Sequence, residues 1–124
     1  MADNKDYITY SENKGSINIS EEVIASIAAN AALETEGVAG LSGTITKDIA
    51  ELLGKKSTSK GVKITIEDNS LKVYVFVIAK LGFAVNKVGE DVQKAVISEI
   101  ESATGFSVDE VNVRICGVSL ERDK

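Results

Sequence analysis

Acidic side chains stand next to each other in several places, and paired carboxylates are the groups in this chain best suited to acid–base chemistry. The adjacent pairs are Glu21 with Glu22, Glu90 with Asp91, and Asp109 with Glu110. Catalysis by two carboxyls requires separated pKa values within one pocket. Each pair instead falls near the start of a predicted helix or strand, where capping and the helix dipole account for acidic residues. We therefore predict no catalytic residue among them, and no calcium-loop spacing is present.

Metal and thiol chemistry is restricted by composition. The chain has no histidine and one cysteine, Cys116. Histidine catalysis and histidine metal ligands are thereby excluded, and a lone cysteine closes no internal disulfide and builds no metal cluster. Cys116 lies in a predicted strand with Arg114 on the same face, and a buried, inert thiol is favoured there over a redox thiol. We predict no cofactor and no metal.

Two further sequence patterns suggest a ligand-binding site, but neither matches a known binding motif. Gly37, Gly40 and Gly43 match neither a dinucleotide-binding fingerprint nor a P-loop, so they predict a helix end and a tight turn. A basic cluster is the other candidate, as a weak contact for an anion, against the alternative of a solvated loop. Its members are Lys55, Lys56 and Lys60, with Lys63 close by.

The composition is that of one globular domain. The chain has 124 residues, 44% of them hydrophobic and 27% charged, with 14 basic and 19 acidic side chains and a net charge of −5. An acidic balance disfavours general affinity for nucleic acid. The N-terminus lacks the apolar core of a signal peptide, and the longest apolar run, residues 73–79, is too short to span a bilayer. We expect a soluble, intracellular protein with no direct membrane insertion.

The periodicity of apolar residues predicts one two-layer α+β domain over residues 15–120, with helices on one face of a small mixed sheet built around a central hairpin. A flexible polar segment is predicted at 1–14 and a charged tail at 121–124. The element order is β-α-α-β-β-α-β. The predicted elements are a strand at 15–19, a helix from Ser20 to Gly37, a short helix at 46–53, a hairpin of 62–66 with 71–79, a long helix at 85–104 and a last strand from Val111, with a bulge at Gly117.

The second strand of the hairpin is apolar on both faces, which is typical of a central strand. Val73, Val75 and Val77 define one face, and Tyr74, Phe76 and Ile78 define the other. If helices cover a single face, the second set forms an exposed surface for a protein partner. Alternatively, the short helix or the N-terminal segment covers it. The last strand offers another candidate surface, if it lies at an edge where a second chain can pair with it.

Several motifs resemble the alkaline shock protein family, also described as the envelope stress response family of Gram-positive-type bacteria. Together they span residues 15–120. The N-terminal motif is Gly15–Ile24, then Ile27-Ala28, Ala31–Glu34 and Gly37-Val38; the central one is Tyr74–Val77, Gly82, Val92-Gln93 and Val96; the last is Glu101–Gly105, Val108, Val111–Val113 and Gly117-Val118. The chain departs from the family at Leu81, where Tyr is usual, and at Gly89, where Ala is usual. Because glycine is unfavourable inside a helix, Gly89 suggests that the long helix begins later than Val85.

The resemblance implies a cytoplasmic, non-enzymatic scaffold or adaptor that binds protein partners: itself, related proteins, a membrane-anchored relative or a lipid-synthesis enzyme. It associates the chain with cell-envelope stress, at the membrane periphery through a partner. One alternative is a regulatory partner of a fatty-acid system, such as acetyl-CoA carboxylase or fatty-acid kinase. Another is a binder of a small apolar ligand, held in a closed cavity of a few hundred Å³ between the long helix and the sheet.

Overall fold

The computed structural model describes residues 7–12, 14–42, 61–68 and 70–120. Within these ranges the chain is α+β, with helices packed on one face of a mixed sheet, as predicted. The short helix predicted at 46–53 lies outside the described residues. The elements are β1 (Tyr7–Glu12), β2 (Gly15–Ser20), α1 (Glu21–Leu33), β3 (Val38–Leu41), β4 (Val62–Glu67), β5 (Ser70–Lys80), α2 (Val85–Thr104) and β6 (Glu110–Ser119).

Helix α1 begins where the sequence predicts. The Ser20 side chain accepts a hydrogen bond from the Val23 N–H at 3.3 Å, and Glu21 and Glu22 occupy the first turn, where the dipole favours negative charge. Its buried face consists largely of alanine, and small side chains let the helix backbone approach the sheet closely. The buried residues of α1 are Ile24, Ala25, Ala28, Ala29, Ala31 and Ala32.

Strand β5 is the centre of the main sheet. It pairs antiparallel with β4 along its first half and with β3 near its end, and it pairs in parallel with β6 on the opposite edge. Val73, Val75 and Val77 are fully buried against the helices. A strand with neighbours on both edges is expected to be apolar on both faces, so the prediction of a central hairpin strand is confirmed.

Helix α2 is the crossover between parallel strands β5 and β6. Val88, Val92, Val96 and Ile100 are at most 1% exposed and form the stripe that faces the sheet, as the helical period predicts. Gly105 ends the helix in a left-handed conformation, with φ of 80°, which glycine adopts without steric cost. Because α2 already begins at Val85, the later start suggested by Gly89 is wrong: packing of the stripe outweighs the low helix propensity of one glycine.

The parallel pairing of β6 with β5 changes register at Cys116. Ile115 pairs with Val77, and Gly117 pairs with Ile78, so Cys116 is left over. This irregularity confirms the bulge predicted near Gly117. The prediction that Cys116 is buried is wrong, because the residue is exposed. The pattern of alternation does not reveal that, among the described strands, β6 has a neighbour on one edge alone.

The N-terminal part of the chain contains a strand that its polar composition does not indicate. Residues 7–12, within the segment predicted to be flexible, form β1 and pair antiparallel with β2 from Tyr7 opposite Ser20 to Glu12 opposite Gly15. The two strands form a sheet separate from the main one. Residues 1–6 and 121–124, the rest of the predicted flexible segment and the charged tail, lie outside the described residues.

Candidate interaction surface

Exposed apolar side chains gather at one end of the main sheet. Of the eight large hydrophobic residues that are exposed in the described part of the chain, five lie where β5 and β6 end. Since these two strands run parallel, their carboxyl ends lie at the same end of the sheet. We name this group the end patch; it consists of Leu81 (49% exposed), Phe83 (40%), Val85 (43%), Val118 (43%) and Leu120 (74%).

Backbone hydrogen bonds fix the segments that carry the end patch. The Leu81 N–H donates to the Ser119 carbonyl at 3.1 Å, so the residues after β5 lie beside the end of β6. The Lys80 N–H donates to the Gly37 carbonyl at 2.8 Å, which ties the same corner to the segment after α1. The Phe83 ring lies against Gly37, where an added Cβ would sit 3.1 Å from Phe83 Cδ2. The patch therefore lies on a fixed part of the backbone.

Charged residues of both signs flank the patch on the first turns of α2. Lys87 Nζ donates to both carboxylate oxygens of Asp91, at 2.9 and 3.1 Å. This hydrogen bond and the negative charge of Asp91 raise the pKa of Lys87, with smaller contributions from Glu90 and Glu36. A polar border around an apolar centre is the usual composition of a surface that binds another protein.

Three of the carboxylates that suggested chemistry, Asp91, Asp109 and Glu110, have structural partners. Asp109 Oδ2 accepts hydrogen bonds from the Ser70 hydroxyl and from the Leu71 N–H, the latter at 3.1 Å, which fixes the start of β5 beside that of β6. Glu110 accepts from Asn112 Nδ2 at 3.1 Å. Together with the first-turn position of Glu21 and Glu22 and the ion pair of Asp91, these contacts support the structural interpretation of the acidic pairs.

An open groove lies between the end of α1 and the middle of α2. Its volume is about 420 Å³, and its lining includes Glu34, Glu36, Asp91, Lys94 and Glu99. This lining is charged and open to solvent, unlike the closed apolar cavity that a small apolar ligand requires. The groove lies between two helices, and so it is not the predicted pocket between the long helix and the sheet.

The three residues predicted as a partner surface lie on β5 but differ in access. Phe76 is 5% exposed and does not belong to the core cluster under the helices, while Tyr74 and Ile78 are half-buried. Lys55, Lys56 and Lys60, predicted as a weak anion contact, lie outside the described residues. Lys63 is 2% exposed, so it does not extend that cluster as a solvated side chain.

The end patch is not predicted from sequence. Its residues are up to 39 positions apart, from Leu81 to Leu120, and each alone is an ordinary exposed hydrophobic. The signal that indicates such a patch is the parallel pairing of the last strand with β5. Within the described ranges, no helix is long and apolar enough to cross a membrane, and no group of three or more His, Cys, Asp or Glu could hold a metal ion.

Comparisons with known proteins agree with the motifs. YqhY of Bacillus subtilis is 32% identical over 107 residues, which cover 86% of this chain and 79% of that protein. YloU of the same organism is 32% identical over 106 residues, with coverage of 84% and 88%. Spy1614 of Streptococcus pyogenes is 30% identical over 108 residues, with coverage of 86% and 89%.

Solved structures of MamM CTD variants are similar at a lower level. One has a TM-score of 0.49 at 10% identity and covers 80% of this chain and 87% of its own; another has 0.48 at 12%, with coverage of 77% and 93%. The sequence model of the alkaline shock protein family, described as having a cell envelope-related function, matches residues 9–120. The resemblance carried by the motifs is thereby confirmed, and the chain belongs to the alkaline shock protein family.

Proposed function

We propose that the chain is a non-enzymatic protein-interaction module that contributes to the cell-envelope stress response as a scaffold, on the cytoplasmic side of the membrane and reaching it through a partner. The observation that supports this role is the end patch, five exposed large hydrophobic residues at one end of the sheet. Contiguous apolar surface of this kind marks sites of protein association. Among the acidic pairs, which are the alternative source of function, Asp91, Asp109 and Glu110 make structural contacts.

The partners of this module are further copies of the chain and related family proteins. Burial of the end patch in a complex removes apolar side chains from water, at roughly 25 cal/mol for each Å². The charges of Lys87, Asp91 and Glu90 lie beside the patch. They set the orientation of the bound partner rather than the affinity of the complex. Tyr74, Phe76 and Ile78 remain a second proposed surface, of which Tyr74 and Ile78 are the accessible members.

A pull-down with matched variants tests the end patch. Leu81→Ser combined with Leu120→Ser removes apolar surface from the patch, and Val23→Ser combined with Leu33→Ser removes similar exposed side chains from α1. Each tagged variant is cross-linked mildly in its native cells and its partners are identified by mass spectrometry. We expect the wild type and the α1 control to retain the chain itself and its family relatives, and the patch variant to lose them.

Two results would overturn the proposal. Recovery of the same partners with the patch variant at undiminished yield would exclude the end patch as the binding surface. Recovery of acetyl-CoA carboxylase or fatty-acid kinase components in a defined ratio, without family members, would replace the scaffold with the regulatory alternative.

A further inference from the structure

We propose that the outer edge of β6 pairs with the β1–β2 hairpin of a second copy of this chain, so that copies join head to tail. The inference rests on the proposed scaffold function, and it specifies a contact made by backbone hydrogen bonds in addition to the end patch. Two features of the same chain carry it: a hairpin that joins no larger sheet among the described strands, and a sheet edge to which no described strand is added.

The β1–β2 hairpin has little support from the rest of the molecule. It forms a two-stranded sheet of its own among the described strands. Residues 15–18 of β2 are exposed, including Ile17 at 54%, and only Ile19 and Ser20, next to α1, are half-buried. A lone two-stranded hairpin is marginally stable in water, whereas three or more strands with an apolar face are stable. This hairpin therefore gains stability by joining another sheet.

Strand β6 presents unpaired backbone groups on the side away from β5. The Phe76 N–H donates to the Gly61 carbonyl and the Phe76 carbonyl accepts from the Ser42 N–H, so the even-numbered residues of β5 face β3 and β4 and the odd-numbered ones face β6. In a parallel pair each such odd residue bonds the two neighbours of its partner, and Val73 and Val75 are paired with Val111 and Val113. The backbone groups of Asn112 therefore face β5, and the N–H and C=O groups of Val111 and Val113 point outward. Among the described strands β6 pairs with β5 alone, which leaves these groups as a template for another strand.

The hairpin of the same chain is badly placed to cover this edge. It leads directly into α1, which packs on β3, β4 and β5, while β6 packs on β5 and α2. Strand β5 and helix α2 therefore lie between the hairpin and β6. A hairpin from a second copy has no such obstacle.

The two surfaces match in length, charge and polarity. Six hairpin residues span about 20 Å and ten residues of β6 about 33 Å, at roughly 3.3 Å for each residue. Thr9 and Asn18, which are hydrogen-bonded to each other across the hairpin, carry no charge that would oppose Glu110 or Arg114. The exposed Ile17 has an apolar counterpart in Val118, 43% exposed near the end of β6.

A contact between two different surfaces of the same chain repeats. Head-to-tail association closes into a ring if the rotation between copies allows it and otherwise extends into a filament. We therefore expect assemblies that grow with concentration until a ring closes.

Proline substitutions test the contact, since proline removes a backbone N–H and is tolerated at a free edge. Val113→Pro blocks the edge, and Val113→Ala keeps the N–H while removing the same side chain. Thr9→Pro interrupts the hairpin, and Thr9→Val keeps the strand while removing the hydroxyl. Mass is measured by light scattering after size exclusion, with circular dichroism to confirm folding. We expect both proline variants to form smaller assemblies than the wild type, with only the contacts of the end patch remaining, and both controls to assemble as the wild type does.

Mixing the two proline variants gives the sharpest result. The Val113→Pro chain retains a working hairpin and the Thr9→Pro chain retains a working edge, so the mixture is expected to gain the edge contact between the two variants and to reach a larger mass than either variant alone. A monomeric wild type, or unchanged assembly of folded proline variants, would overturn the inference. If Val113→Pro fails to fold, Thr9→Pro decides, since Thr9 lies outside the core. If the end patch variant loses its partners while both proline variants keep theirs, the proposed function stands and the edge contact is excluded.

Discussion

At the scale of single residues, Gly37 is the position where the end of α1, the end of β5 and the start of α2 meet. Its carbonyl accepts from the Lys80 N–H, and its φ is 93°. A Cβ at this position would lie 2.7 Å from Val88 Cγ2 and 3.1 Å from Phe83 Cδ2. Both the backbone conformation and the close packing therefore require glycine.

Gly37→Ala is expected to lower the free energy of unfolding by about 1–3 kcal/mol, the usual cost of a non-glycine residue in this backbone region. Urea denaturation followed by circular dichroism measures the change. Gly40→Ala is the control, because no atom of the described residues lies within 4 Å of its added Cβ, and we expect it to change stability by less than about 0.5 kcal/mol. Equal stabilities of the two variants would contradict the packing seen at Gly37.

The ion pair of Lys87 and Asp91 predicts a pH effect with a definite sign. The pKa of Lys87 is raised above its ordinary 10.5, chiefly by the hydrogen bond to Asp91 and then by the charge of Asp91. A raised pKa of a lysine contributes stability below the unfolded-state value, and this contribution is lost as pH rises through the folded-state value. Asp91→Asn is expected to lower the pKa of Lys87, as measured by NMR titration. An unchanged titration would show that the pair does not form in solution.

Single residues also show which features of the structure the sequence pattern predicts and which it does not. Gly105 ends α2 where the sequence predicts, whereas the end predicted for α1 at Gly37 is wrong, because that helix ends at Leu33 with its C-cap at Glu34. For Cys116 the residue type predicts burial, because cysteine usually is buried, and yet the side chain is exposed. Burial on a strand depends on which neighbours cover each face, and a residue type alone carries no information about neighbours.

At the scale of elements, β5 decides the fold because three strands pair with it. Its unbroken apolar run and the two-residue period of β4 are visible in the sequence, as is the stripe of α2. Strand β1 is not predicted, although Tyr7, Ile8, Thr9 and Tyr10 are residue types enriched in strands. Charged residues flank this short run, and its pairing with β2 identifies it as a strand. The pairing of β6 with β5 in parallel follows from the crossover helix between them.

Phe76→Glu tests the face of β5 away from the helices. Since Phe76 is 5% exposed, we expect the variant to lose cooperative unfolding, because a buried carboxylate without a partner is strongly unfavourable. The matched change Tyr74→Glu, at a half-buried position, is expected to leave the domain folded. Thermal unfolding by circular dichroism measures both. A folded Phe76→Glu chain that no longer associates would instead support the partner surface predicted at Tyr74, Phe76 and Ile78.

At the scale of the whole molecule, stability is distributed unevenly between the two sheets. The main sheet buries its side chains under α1 and α2, whereas most of β2 is exposed. Such differences predict local opening at different free energies. The end patch belongs to this scale as well: its residues come together only through the parallel pairing of β5 and β6, which no local pattern of side chains specifies.

Amide hydrogen exchange is expected to follow this distribution. In dilute protein, the amides of β1 and β2 are expected to exchange faster than those of β5 by several orders of magnitude. At concentrations where the chain assembles, the hairpin and the outward amides of β6, such as those of Val111 and Val113, are expected to become protected together. Protection of the hairpin without β6, or of β6 without the hairpin, would show that the chain assembles without the proposed strand pairing.

The parallel pairing of β5 and β6 has a consequence for the chain during its synthesis. Lys72 pairs with Glu110 and Lys80 with Ser119, so β5 leaves the ribosome well before the strand that completes it. Until the last residues emerge, the central strand has one open edge, and the missing strand of a neighbouring nascent chain fits that edge equally well. We therefore expect exchange of β6 between chains to compete with folding on crowded polysomes, with residues 105–109, which connect α2 to β6, as the segment that would have to straighten.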